Sequence, residues 1–267
     1  MIKKILFPAE FADFDVNTYR YALELAKVFE AELAIMHAYG KTESGLGRGY
    51  GSEKEEDIQR LLEKFVADNT PEAFKTMDIQ RIATLDYPIE GILHVAKDIG
   101  ADLIIMSTVS YTQPGITHLS DQTLNIIRRA KAMVLAVPPT VPFAGFETIV
   151  FSTDFEFDDL IVINELRRWC KKLDSKLHIL HIGRDEIDRM KALEEAYAGQ
   201  NNMAFDYIEG DKVKKTIEVF TEAIKPDMIV FTTTKRSFLS RILEGSVTQG
   251  VAKKIDAPML TIKQKKQ

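Results

Sequence analysis

Lys4-Ile5-Leu6-Phe7-Pro8-Ala9-Glu10-Phe11 opens the chain and returns 144 residues later as Thr148-Ile149-Val150-Phe151-Ser152-Thr153-Asp154-Phe155. Each copy is an apolar run, two small or turn-forming residues, an acid and a phenylalanine. The spacing persists downstream, where Leu33-Ala34-Ile35-Met36-His37 matches Leu177-His178-Ile179-Leu180-His181. Further on it shortens to 125 residues. Ala101-Asp102-Leu103-Ile104-Ile105-Met106 then matches Pro226-Asp227-Met228-Ile229-Val230-Phe231, and Ala132-Met133-Val134-Leu135 matches Ala257-Pro258-Met259-Leu260. An internal repeat of this length means two copies of one fold. The first copy is 19 residues longer in its middle, where the glycine-rich stretch Gly45 to Gly51 lies.

Between the copies runs Pro138-Pro139-Thr140-Val141-Pro142-Phe143-Ala144-Gly145. Three prolines and a glycine continue neither a helix nor a central strand. The expected organisation is a first domain over 1–138, a linker over 139–145 and a second domain over 146–267. The 267 residues suit two domains, each large enough to bury its own core.

Within each copy, short runs rich in Ile, Val and Leu alternate with segments whose apolar residues stand three and four apart. Ile5 to Phe7, Leu33 to Met36, Leu103 to Met106 and Met133 to Val137 read as buried strands. Tyr19, Ala22, Leu23, Ala26 and Val28 mark a helix, with Asp15 and Asn17 as candidate caps. Ile58, Leu61, Leu62 and Phe65 mark a second helix, and Ile89, Ile92, Leu93 and Ala96 mark a third that starts at Pro88. Near-continuous apolar strands alternating with helices imply an α/β fold. Each domain is expected to be a five-stranded parallel sheet with four helices spread over both faces.

Composition narrows the function. A net charge of −5 argues against a nucleic-acid partner, and no window approaches the roughly 18 apolar residues of a membrane span. The apolar run at the N-terminus breaks at Pro8 and Glu10, too early for a signal peptide. The lone Cys170, in a helical pattern with Leu166, Trp169 and Leu173, reads as a buried thiol in a reducing, cytoplasmic setting.

Taken together, the opening motif, the strand ending in histidine, the Ala/Pro-Asp strand and the closing Ala-Pro strand resemble the universal stress proteins. The resemblance covers both copies and implies an adenine-nucleotide α-hydrolase-like domain, present twice. In the nucleotide-binding branch of that family, a loop after the fourth strand carries Gly-x2-Gly-x9-Gly-Ser/Thr. Such glycines let backbone N–H groups approach phosphates, and the last one opens a helix whose N-terminus favours anions. The acid at the end of the first strand contacts adenine in that family.

This sequence departs from the pattern unequally. In the second copy the three glycine positions fall on Thr232, Lys235 and Gly245, followed by Ser246. In the first they fall on Ser107, Ser110 and Ser120, followed by Asp121, whose charge would repel a phosphate. The first copy also has Glu10 where the second has Asp154. The resemblance therefore implies ATP, ADP or AMP as the ligand of the second domain, held by Thr153, Asp154, Ile182, Thr232, Lys235, Gly245 and Ser246, with Lys235, Arg236 and Arg241 adding positive charge.

Two functions stand open at this point, and a third, an ATP-hydrolysing enzyme of weak activity, ranks below them because the sequence offers no water-activating base. One is a stress-response protein that binds nucleotide in its second domain. The other is a stress-associated interaction protein with no nucleotide, acting through the surface of its paired domains. Neither is a conventional enzyme, since no Ser-His-Asp, Cys-His or carboxylate pair has a supporting context. The expected partners are the chain's own two halves as a pseudo-dimer, Met133 to Val137 lying near Met259 to Ile262, and a second copy of the chain.

Other motifs have plainer explanations. His37 and His181 occupy matching strand ends, and His178 precedes the latter by three, yet none has a cysteine or carboxylate at ligand spacing. Gly45 to Gly51 lacks a following Lys-Ser/Thr and reads as a loop rather than a phosphate cradle. Asp158-Asp159 and the acids of Glu53 to Asp57 suit the first turns of helices. The basic tail from Lys263 to Gln267 reads as a solvated end.

Overall fold

The computed structural model of the chain describes residues 2–40, 54–110, 119–155, 159–183, 186–210, 213–233 and 257–263. The chain divides into two compact units, Met1–Phe143 and Ala144–Gln267.

The first unit holds strands β1 (Lys4–Pro8), β2 (Glu32–Gly40), β3 (Ile79–Asp86), β4 (Leu103–Ser107) and β5 (Met133–Val137). Its helices are α1 (Asp13–Phe29), α2 (Glu55–Asn69), α3 (Pro88–Asp98) and α4 (Asp121–Arg129). The strands are parallel in the order β3-β2-β1-β4-β5. The chain therefore winds outward from β1 to β3, returns to the other side of β1, and winds out again. Right-handed crossovers put helices made before and after that return on opposite faces. Accordingly α1 touches α2, with the Tyr19 and Phe65 rings 5.3 Å apart, while Arg129 of α4 pairs with Glu90 of α3 at 2.7 Å. Ile5, Leu6 and Phe7, together with Leu103, Ile104 and Ile105, are completely buried between the helical layers.

The second unit repeats the design. Strands β6 (Thr148–Thr153), β7 (Lys176–Ile182), β8 (Met203–Ile208), β9 (Met228–Thr233) and β10 (Met259–Lys263) are parallel in the order β10-β9-β6-β7-β8. Helices α5 (Leu160–Leu173), α6 (Ile187–Ala196) and α7 (Val213–Ile224) are present among the described residues. The chain is thus an α/β protein of two tandem five-stranded parallel domains. Cys170 is buried against this core, which pushes its thiol up to about 12.

The structure explains the Ala/Pro-Asp motif. Asp102, just before β4, accepts the backbone N–H groups of Lys3 at 2.8 Å and Lys4 at 3.1 Å, and Asp227 accepts that of Thr148 at 2.8 Å. Each carboxylate ties the entry of the first strand to its neighbour across the sheet. Ala9 N also donates to Met36 O, so the far end of β1 is fixed as well.

Two local expectations need correction. Asn17 does not cap α1, and Asp15 caps it from within rather than from the N-cap position: α1 starts at Asp13 after Ala12, whose N–H the Asp15 carboxylate accepts. Asp15 lies inside the first turn, and its carboxylate folds back to the N–H groups of Ala12 and Glu10. Asn17 lies further along α1 and donates to the carbonyls of Pro138 and Val141, while the Tyr21 hydroxyl donates to Val141 and Pro142. The Tyr21 and Phe143 rings stand 5.0 Å apart, so much of the proline-rich stretch is fastened to α1 of the first domain. Asp159 is not a solvated first-turn acid either. It is buried and receives the Thr153 hydroxyl.

Helix α3 approaches the sheet at Gly91. A Cβ there would stand 2.9 Å from Ala38 Cβ and 3.1 Å from Thr84 Cγ2, closer than the packing tolerates. Gly91→Val is expected to lower unfolding free energy by about 1–3 kcal/mol in urea titration, outweighing the few tenths that valine gains over glycine as a helix former. An unchanged midpoint would mean that α3 does not lie against β2 and β3 as described.

Candidate functional site

In an open α/β sheet the strand order reverses at one point, and ligands collect beyond the carboxyl ends of the strands there. Here that point lies between β1 and β4 in the first domain and between β6 and β9 in the second.

The end of β1 is built around a buried acid. Asp15 is 2 % exposed, and its Oδ2 accepts Glu10 N at 2.6 Å and Ala12 N at 3.3 Å. Burial and then the nearby Glu10 charge push its carboxyl up to about 7, against the pull of the backbone hydrogen bonds. The next residue after Glu10, Phe11, is left-handed at φ 57° and lays its ring 4.7 Å from the His37 imidazole. His37 Nδ1 donates to the Ala9 carbonyl at 2.6 Å, and burial holds the imidazole below its usual pKa.

Opposite stand the residues at the glycine positions of the resembled loop. Ser107 Oγ accepts Val109 N at 3.2 Å. Ser110 Oγ donates to Glu10 Oε2 at 3.3 Å. Ser120 caps α4, accepting Thr123 N at 3.2 Å, while Thr123 Oγ1 donates to Ser107 O at 2.9 Å. Gln122, in the first turn of α4, donates to Glu10 Oε1 at 3.0 Å. Asp121, the first residue of that helix, is exposed. These polar groups satisfy one another across the switch point.

The second domain shares the frame and differs in its contents. Thr153 ends β6, donates its hydroxyl to Asp159 and accepts Phe155 N at 3.0 Å. Asp154 follows, half-buried, in the place that Glu10 takes in the first domain. Phe155 is left-handed at φ 54°, with its ring 5.0 Å from His181, whose Nδ1 donates to Thr153 O at 3.0 Å. Arg189 of α6 donates to the Phe155 carbonyl at 2.8 Å, and its guanidinium lies 5.3 Å from the Phe155 ring centre. On the other side of His181, Tyr207 stacks at 5.8 Å. Arg189, Phe155, His181 and Tyr207 thus brace the turn that carries Asp154. Across the switch point, Thr232 is buried near the end of β9, on the strand beside β6; Ile182 ends β7 on the other side of β6.

Of the residues expected to hold the ligand, Thr153, Asp154, Ile182 and Thr232 are placed on three adjoining strands and the turn after β6. Lys235, Gly245 and Ser246 lie outside the described residues, as do Arg236, Arg241, Asp158 and Gly45 to Gly51. His37 and His181 each spend Nδ1 on a backbone carbonyl at the end of the first strand. They hold that turn, and no group of three His, Cys, Asp or Glu suited to a metal occurs among the described residues. His178 pairs with Asp206 at 2.8 Å. Asp15 and Asp159 were missed as site residues, although they recur at the same spacing of 144 as the opening motif.

No helix among the described residues is long and apolar enough to cross a membrane. The family model described as the universal stress protein family matches residues 1–138 and 186–263. A universal stress protein of Methanocaldococcus jannaschii is 27 % identical over 160 residues, which is 51 % of this chain and 95 % of that protein. Among solved structures, a universal stress protein from Archaeoglobus fulgidus is similar with a TM-score of 0.76 at 16 % identity, covering 98 % of both chains. A functionally unknown protein from Pseudomonas aeruginosa is similar at 0.68 and 14 % identity, covering 98 % of this chain and 92 % of that one. The structural likenesses establish the fold, and the match to the family model over both halves establishes that this chain belongs to the universal stress protein family.

Proposed function

We propose that the chain is a stress-response binding protein that takes an adenine nucleotide, ATP or its di- or monophosphate, in its second domain and none in its first. The observation that carries the asymmetry is the engagement of the Glu10 carboxylate by Ser110 and Gln122. The second domain has the shorter Asp154 at that place, on a turn braced by Arg189 and Phe155. It also retains Gly245-Ser246, a sequence suited to free N–H groups at a helix start, and Lys235 and Arg236 supply cations. No catalytic turnover belongs to this reading. In this reading the two halves of the chain act together as a pseudo-dimer, as two copies of one fold joined in tandem suggest.

A nucleotide-free interaction protein is the second reading. It is favoured by Thr232, which brings a buried Cβ to the first glycine position of the loop. Photo-crosslinking with an azido-ATP, followed by peptide mapping, separates the two. Label competed by ATP is expected on peptides from 144–267. Label confined to 1–143 would overturn the asymmetry, and absence of competable label would favour the interaction protein.

A further inference from the structure

The first domain's site is filled from within. Both oxygens of the Glu10 carboxylate are engaged by donors from beyond β4: Ser110 Oγ on Oε2 at 3.3 Å and Gln122 Nε2 on Oε1 at 3.0 Å. Ser110 is 2 % exposed, so its hydroxyl has little access to water. The acid's own backbone is held as firmly. Glu10 N donates to Asp15, Ala9 N donates to Met36 O, and Ala9 O receives His37. A fixed backbone on one side and two side-chain donors on the other define a place for one carboxylate.

We infer that Ser110 and Gln122 form a carboxylate receptor that the chain keeps filled with its own Glu10, an autoinhibitory contact closing the first domain's switch point to other ligands. The side chain acts as a built-in ligand, and no association entropy opposes it because it is already tethered. Shortening Glu10 vacates the receptor and removes the carboxylate that Ser110 and Gln122 hold, at the cost of two part-buried hydrogen bonds. A free monocarboxylate such as formate then takes the position. Asp121 at the start of α4, next to Gln122, adds negative charge, so a multiply charged anion is disfavoured. This inference does not depend on nucleotide binding by the second domain.

The test is thermal unfolding of the full chain with formate, inorganic phosphate or chloride at matched ionic strength. Glu10→Ala is expected to lower the midpoint of the first domain's transition by about 2–6 °C. Formate should restore at least half of that loss in a saturable manner, whereas phosphate and chloride should not. The wild type and Glu10→Gln, whose position stays filled, should show no formate response. A Glu10→Ala midpoint that responds to formate no more than to chloride would overturn the inference, as would equal stabilisation by phosphate. Should Glu10→Ala not fold, a double-mutant cycle of the shorter Glu10→Asp with Gln122→Ala keeps the question open to decision. Coupling of about threefold or more in the unfolding constant supports the contact, and additivity of the two substitutions overturns it.

Discussion

Asp15→Asn is expected to remove a pH dependence from the stability of the first domain. The wild-type carboxyl ionises at about 7 in the folded chain, against 3.8 for its ordinary value, chiefly because it is buried and secondarily because Glu10 is near. Below 3.8 both states hold the proton, and the contribution of this group to stability is fully present. As pH rises, the unfolded chain releases its proton first while the folded chain keeps it, so stability falls until the folded group ionises near pH 7. Between about pH 5 and pH 7.5 the loss from this one residue is about 2–3 kcal/mol. Asparagine keeps the shape and an oxygen for the Glu10 and Ala12 N–H groups, but it carries no titrating proton. The penalty of Asp15→Asn in urea unfolding should therefore be larger at pH 5 and shrink by that amount at pH 7.5. A penalty that grows toward pH 7.5 would mean that Asp15 is an ordinary ionised acid stabilised by its N–H donors.

Much of the fold could be read from the sequence because burial on both sides leaves its mark on parallel strands. Ile5 to Phe7 and Leu103 to Met106 are uninterrupted apolar runs for that reason. Strand β3 escapes the same reading. It lies at an edge of its sheet, so Gln80, Arg81 and Leu85 are exposed and its apolar residues do not form a run. The site was legible only in part. Serines at the three glycine positions and Asp121 set the first loop apart from the resembled phosphate loop, yet nothing local to Glu10 reveals that Ser110 and Gln122, 100 and 112 residues away, converge on it. Arg189 was invisible for the same reason, since its link to Phe155 is created by the packing of α6. The inward turn of Asp15, read only as a candidate cap, and of Asp159, read as a first-turn acid, was not legible because acids near a helix start ordinarily complement the helix dipole from the surface.

The largest functional effect is expected from Gly245→Asp. In the proposed site, Gly245-Ser246 is the sequence expected to face the phosphates, and Gly245→Asp puts a carboxylate one position before the place that Asp121 takes in the first domain. A carboxylate a few ångströms from a phosphate in a partly screened site costs on the order of 2–4 kcal/mol, which is a loss of about thirtyfold or more in affinity. The most direct measurement is isothermal titration of the full chain with ATP, read for stoichiometry. The account requires one nucleotide per chain, binding that Gly245→Asp removes and Gln122→Ala leaves in place. Two nucleotides per chain, none, or a single one that survives Gly245→Asp and is lost with Gln122→Ala would contradict it.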